Sequence, residues 1–197
     1  MTAGRAGRGE LMLVLGGVRS GKSAFAVVLA ARSGERVTFV ATAEAGDEEM
    51  RERIERHRLR RPEDWHTLEA PVKVGQAVLA AGAEVVVIDC LGLLAANVMA
   101  RAEVSGDSAE GLMESEISEL LDAYDRAGAT LIIVSNEVGM GVVPPYPSGR
   151  QFRDLLGRAN QRLAQAADRV YWMVAGLPIE VKASGLAEMV EMHDGTA

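Results

Sequence analysis

LMLVLGGVRSGKSAFAVVLAARS, residues 11–33, holds three signals in a row. Leu11–Leu15 is a compact apolar run of the kind that fills a buried strand. Gly16-Gly17-Val18-Arg19-Ser20-Gly21-Lys22-Ser23 then fits G-x-x-x-x-G-K-[ST]. Its glycines let the chain curl so that backbone N–H groups point inward at phosphate oxygens. Lys22 is placed to reach the β- and γ-phosphates, and the Ser23 hydroxyl to ligate Mg²⁺. Phe25, Val28 and Leu29 follow at helical spacing, and a helix starting here presents its N-terminus to the same anion. The bland alternative is a glycine-rich turn matching by chance. Strand, loop and helix in the required order argue for a P-loop that binds nucleotide. Lysine is scarce in this chain, yet one stands at this position.

Outward from that segment, short apolar runs alternate with helical patterns, which predicts a single α/β domain with a mostly parallel sheet flanked by helices. Strands are expected at Arg36–Ala41, Val85–Asp89, Ala129–Ser135 and Arg169–Val174, with a last extended piece at Pro178–Lys182. Val85–Asp89 (VVVID) is the most β-branched run and reads as a central strand. Helices are expected over Ser20–Ser33, Asp47–Arg61, Leu91–Ala102, Ala109–Ala127 and Arg150–Ala167. The proline-rich Val142–Gly149 reads as a loop. The domain is expected to span residues 11–182, after a disordered Gly/Arg-rich leader (1–10) and before a loose tail (183–197).

The chain has 28 acids against 21 Lys plus Arg, a net charge of −7, which argues against non-specific binding to nucleic acid or anionic membrane. Cys90 is the one cysteine, so no internal disulfide forms. No apolar run is long enough to span a bilayer, and the leader lacks the apolar core of a signal peptide. A cytoplasmic location is the default expectation.

Asp89 closes the VVVID run and fits a Walker-B acid that holds Mg²⁺; the alternative is a strand-end acid capping the next helix. Asp89-Cys90-Leu91-Gly92 also matches the D-x-x-G of switch GTPases. The guanine-reading N-K-x-D is missing, since no lysine follows any asparagine.

Seven strings occur in order between Leu11 and Lys182: GGVRSGKS; Ala41-Thr42-Ala43; Asp47-Glu48-Glu49-Met50 with Arg53-Ile54, His57-Arg58 and Arg61; Trp65-His66-Thr67-Leu68-Glu69; Asp89-Cys90-Leu91 with Asn97; Ser135-Asn136-Glu137-Val138-Gly139-Met140-Gly141-Val142-Val143-Pro144; and Phe152-Arg153-Asp154 with Gly157-Arg158, Asn160-Gln161 and Ala175-Gly176-Leu177-Pro178. In these the chain resembles the bifunctional adenosylcobinamide kinase/adenosylcobinamide-phosphate guanylyltransferases of cobalamin synthesis. The resemblance implies a RecA-like P-loop fold and a homo-oligomer, with a trimer as the expected form. It implies phosphorylation of adenosylcobinamide by ATP or GTP, then GMP transfer from GTP to adenosylcobinamide phosphate with release of pyrophosphate. It places the guanylylated histidine at His57, and nucleotide contacts at Thr42 and Glu69. Leu93-Leu94-Ala95-Ala96 departs from a segment that is often more aromatic in the family.

If Asp47–Arg61 is one helix, Met50, Ile54, His57 and Arg61 share one face. That face alone favours a packed, hydrogen-bonded His57, and the resemblance favours a nucleophile; a neutral imidazole with pKa ~6.5 can attack an α-phosphate. Arg58 and Arg61 are candidates to neutralise phosphate charge. Ala41 and Ala43 belong with Thr42 to the expected nucleotide-binding set, and Glu69 reads equally as a solvated acid. Asn136-Glu137 closes a buried strand, where ligands of parallel sheets collect, or else is a turn. The competing functions are a kinase of a small metabolite with a structural His57, and a nucleotide-gated regulatory protein.

Overall fold

The computed structural model describes residues 9–182 except Ala45, Asp47 and Arg60, with backbone alone for Glu49, Met50, Arg53, Ile54 and His57. The described elements run β1 (Leu11–Gly16), α1 (Lys22–Ser33), β2 (Val37–Ala41), α2 (Glu48–Arg58), β3 (His66–Glu69), α3 (Val74–Ala80) and β4 (Val85–Asp89). They continue with α4 (Leu91–Ser105), α5 (Ala109–Ala127), β5 (Thr130–Asn136), α6 (Pro147–Ala166), β6 (Arg169–Val174) and β7 (Leu177–Glu180). The strands form one seven-stranded sheet in the order β3-β2-β4-β5-β1-β6-β7. Every neighbouring pair is parallel except β6 and β7, so the expected α/β architecture is the observed one.

A parallel sheet needs crossover helices, and these cover both faces, so its strands read as unbroken apolar runs. In β1, Leu11 and Leu13 belong to the core that α3, α4, α5 and α6 cover, whereas Met12 and Val14 belong to the core under α1. Val85–Ile88 of β4 are fully buried. Helix α1 approaches its face through Ala26 and Ala30, and Phe25 meets Tyr171 edge to face at 5.1 Å.

Several elements differ from expectation. β3 and α3 carry no strong pattern: three of the four β3 residues are exposed, and α3 is 7 residues long. Helix α2 stops at Arg58, short of Arg61, because Arg61 precedes Pro62, which disfavours helical backbone there. Helix α6 begins three residues early, since Pro147 occupies the first helical position, where a missing N–H costs nothing. Gly9 and Glu10, assigned to the leader, are tied to the sheet: Gly9 N–H donates to Gly128 at 3.0 Å, and Glu10 N–H to the Thr130 hydroxyl at 3.3 Å. The rest of that leader and the tail lie outside the described residues, as do the Asp47 helix start and the side chains of Met50, Ile54 and His57.

Helix α3 is held by α5. The Glu116 carboxylate accepts from the N–H groups of Lys73 (2.7 Å) and Val74 (3.3 Å), filling donors that the helix start leaves open. Gly75 lets the helices close up, because a Cβ there would sit 2.7 Å from the Glu119 carbonyl oxygen. Gly75→Val should therefore destabilise the fold by roughly 1–3 kcal/mol through overpacking. Urea denaturation measures this, and an unchanged midpoint would mean that the helices are not in close contact.

Candidate active site

The phosphate loop leaves β1 at Gly16 and enters α1 at Lys22. Gly16 has φ +155°, and a Cβ there would lie 2.7 Å from both the Met173 carbonyl oxygen and Ser20 Oγ. Gly21 sits at φ +95°, a region that L side chains rarely adopt. Arg19 takes the left-handed conformation at φ 58°. Nothing lies within 4 Å of where a Gly17 side chain would start, so that glycine borders open space. Val18 is exposed. Lys22 is buried and its Nζ donates to the Gly17 carbonyl at 2.6 Å, bending across the loop. Ser20 Oγ is buried with no hydrogen-bond partner among the described residues, an arrangement that costs about 1–3 kcal/mol unless a ligand completes it. Ser23 is half-buried in the first turn of α1. Gly176 N–H donates to the Ser20 carbonyl at 3.0 Å, so the turn between β6 and β7 braces the loop.

At the C-terminal ends of β2 and β3, on the same border of the sheet as the loop but separated from β1 by β4 and β5, lies a cleft of about 710 Å³. Ala41, Ala43, Arg58, Arg61 and Glu69 line it, which brings five of the expected nucleotide residues to one place. Glu44 and Glu55 add carboxylates. The Arg61 guanidinium lies 3.4 Å above the Phe39 ring, and donates to the Thr67 hydroxyl at 3.4 Å. Its pKa is lowered chiefly by burial; Asp89 opposes that shift and Arg58 adds to it. Arg61 thus reaches the cleft from the turn after α2, held by a ring, where a helical face had been expected to carry it.

Thr42 does not line the cleft. It is fully buried, and its hydroxyl accepts from the Cys90 N–H and donates to the Cys90 carbonyl, both at 2.8 Å. Asp89 stands half-buried at the end of β4, which is separated from β1 by β5. Burial, and then the Asp89 charge, push the Cys90 thiol up to about 11, against bonds from the Leu93 and Gly92 N–H groups and the charge of Lys22. A thiol in that state stays protonated at neutral pH and is a poor nucleophile.

Asn136 ends β5 opposite Gly16, and Glu137 N–H donates to the Gly16 carbonyl at 3.1 Å. Asn160 secures this edge: its amide donates to the Asn136 carbonyl at 3.1 Å and its oxygen accepts from Ser135 Oγ at 2.6 Å. His57 lies in α2 between Glu55 and Arg58, both on the cleft, but its side chain is outside the described residues. Among the described residues no helix is long and apolar enough to cross a membrane.

The sequence profile of the cobinamide kinase / cobinamide phosphate guanyltransferase family matches residues 12–181. The bifunctional adenosylcobalamin biosynthesis protein CobP of Pseudomonas aeruginosa is 42% identical over 177 residues, covering 88% of this chain and 98% of that protein. The corresponding CobU protein of Escherichia coli is 38% identical over 183 residues, covering 87% and 99%. In fold the chain is similar to an ATPase from the type III secretion system of pathogenic bacteria, with TM-score 0.56, 14% identity and coverage of 95% of this chain and 54% of that one.

Replacing the cation of the loop tests the geometry directly. Lys22→Ala should leave the melting transition in place while lowering nucleotide-dependent turnover by roughly 10²–10⁴, the effect of losing several kcal/mol of transition-state stabilisation. Full turnover in the folded variant would show that phosphates bind elsewhere.

Proposed function

Because this chain belongs to the cobinamide kinase / cobinamide phosphate guanyltransferase family, we propose that it performs both reactions at the loop and at the cleft on the same border of the sheet. The buried Ser20 hydroxyl, which has no hydrogen-bond partner among the described residues, is the observation that carries the nucleotide reading. In the first reaction the hydroxyl of adenosylcobinamide attacks the γ-phosphorus of ATP or GTP. The bond from that phosphorus to the bridging oxygen breaks, and the nucleoside diphosphate leaves. Lys22 and the loop N–H groups neutralise the charge spread over the phosphoryl oxygens, which is most of what such a loose transition state requires.

In the second reaction an imidazole nitrogen of His57 attacks the α-phosphorus of GTP and pyrophosphate leaves. A phosphate oxygen of adenosylcobinamide phosphate then takes GMP from the histidine, giving adenosylcobinamide-GDP. Support comes from α2 bordering the cleft, with Arg58 and Arg61 there to balance the phosphates. Glu69 is suited to accept from the N1–H and 2-amino group of guanine, donors that adenine does not present together. The acceptor approaches over residues 137–146, which grow from the loop side of β5 and leave Met140, Val142, Val143 and Tyr146 exposed.

Ser23 and Asp89 offer a hydroxyl and a carboxylate, hard oxygen donors of the kind Mg²⁺ takes alongside substrate phosphates. They would hold that ion, which supplies further charge neutralisation. A homo-oligomer, with a trimer as the expected form, fits the edge strand β7 with its exposed Leu177 and Ile179 and the exposed Val181 just after it. The absence of a membrane-crossing helix among the described residues accords with a cytoplasmic enzyme.

Two measurements test this reading. Asp89→Asn should shift the Mg²⁺ dependence of turnover to higher metal, with little change in metal-free nucleotide binding; identical titrations would reduce Asp89 to a strand-end cap. His57→Ala should abolish GMP transfer and keep much of the kinase activity. Wild-type protein with α-labelled GTP should then carry a label stable to alkali and lost in acid. Equal labelling of the His57→Ala protein would place the nucleophile elsewhere.

A further inference from the structure

Asn97 lies on α4 among fully or nearly fully buried neighbours, Leu94, Ala95 and Val98. Asparagine is a poor residue for a helix interior, so its presence there calls for a reason. Its side-chain nitrogen donates to the Thr42 carbonyl and to the Pro71 carbonyl, both at 2.9 Å, using both hydrogens of the amide. These carbonyls come just after the point where β2 and β3 part. The last rung is the Ala41–Glu69 pair, followed by the Ala70 N–H bond to Ala41 at 2.9 Å. Proline has no N–H with which to extend the ladder, so beyond that rung a side chain takes over.

Thr42 passes the constraint on. Its N–H donates to the Asp89 carbonyl at 3.3 Å, and its hydroxyl clasps the Cys90 backbone from both sides. One amide on α4 therefore ties together the exits of β2, β3 and β4. The residues beside these anchor points are Ala41, Ala43, Glu69 and Pro71, which line the cleft, and Asp89. Neither Asn97 nor Thr42 lines it.

We propose that Asn97, acting through Thr42, is the positioning residue of the nucleotide cleft, fixing the splay of β2 and β3 and the placement of Asp89. The proposal rests on the reading of that cleft as the nucleotide site. It assigns Thr42 a place behind the cleft wall, with its hydroxyl turned to Cys90.

The test uses the full chain, a fluorescent GTP analogue for equilibrium titration, and steady-state kinase assays. Asn97→Ala deletes both donors; Asn97→Asp keeps the shape and turns an acceptor toward two carbonyl oxygens. Each should weaken analogue binding and raise the nucleotide KM about tenfold or more, ~1.4 kcal/mol, the net value of a hydrogen bond. The KM for adenosylcobinamide should hold. Thr42→Val, nearly isosteric, should act in the same direction, and Thr42→Ser should restore binding. The double variant Asn97→Ala/Thr42→Val should lose less than the sum, because both changes break one clamp. Wild-type nucleotide affinity in any folded Asn97 variant would overturn the proposal. A parallel rise in both KM values would do the same, since it would mean general loosening. Arg61→Ala separates the two failures: if it binds the analogue as wild type does, the cleft is not the nucleotide site.

Discussion

The structure depends on the parallel pairing of β1 between β5 and β6. With both of its faces under helices, β1 has no edge and no solvent face, so its direction and register are fixed. Six of the seven strands share that direction, and their C-terminal ends therefore meet along one border of the sheet. Gly16, Ala41, Glu69, Asp89 and Asn136 are the last residues of five strands. The chemistry collects there because ligands of open parallel sheets bind beyond the strand ends.

An acidic molecule that handles polyphosphates must concentrate its few useful cations. Lys22 is held over the loop by the Gly17 carbonyl, and Arg61 is held over Phe39. Placing a guanidinium on an aromatic face fixes its position without neutralising it, as a direct ion pair would. The distant arginines are used differently: Arg158 pairs with Glu110 and Arg162 with Glu114, joining α6 to α5 far from the cleft. Net charge thus says little about the local field at the site.

The sequence showed the phosphate loop because its requirements are backbone requirements. Glycine at Gly16 and Gly21 answers to torsion and close approach, which leave a readable mark. Buried β-branched runs mark the inner strands, and the family strings include Ala41, Arg58, Arg61 and Glu69, which line the cleft. Other features left weaker marks. β3 is short and mostly exposed, so no apolar alternation announces it. Arg61 was put on a helix face because periodicity was extended past the point where Pro62 ends it. The resemblance implies a nucleotide contact at Thr42, and nothing in its spacing tells that its hydroxyl is engaged by the Cys90 peptide group. Thr42, Asn97 and Asn160 each bond a backbone carbonyl, and every residue has a carbonyl, so composition and spacing do not single these pairs out.

The central place of β1 has a consequence for how the chain reaches its fold. Leu11 pairs with Leu131, and Met12 with Arg169. Among the described strands, β1 therefore waits until β2, β3 and β4 have all been made before the first of its neighbours, β5, arrives. Such non-local pairing means high contact order and slow folding, and during the delay an apolar LMLVL segment stays exposed to aggregation. The helix that covers one face, α1, follows directly and gives early, local shelter. The phosphate loop between them takes its final shape only when β6 and its hairpin arrive to brace it, so competence to bind nucleotide is among the last properties the molecule acquires.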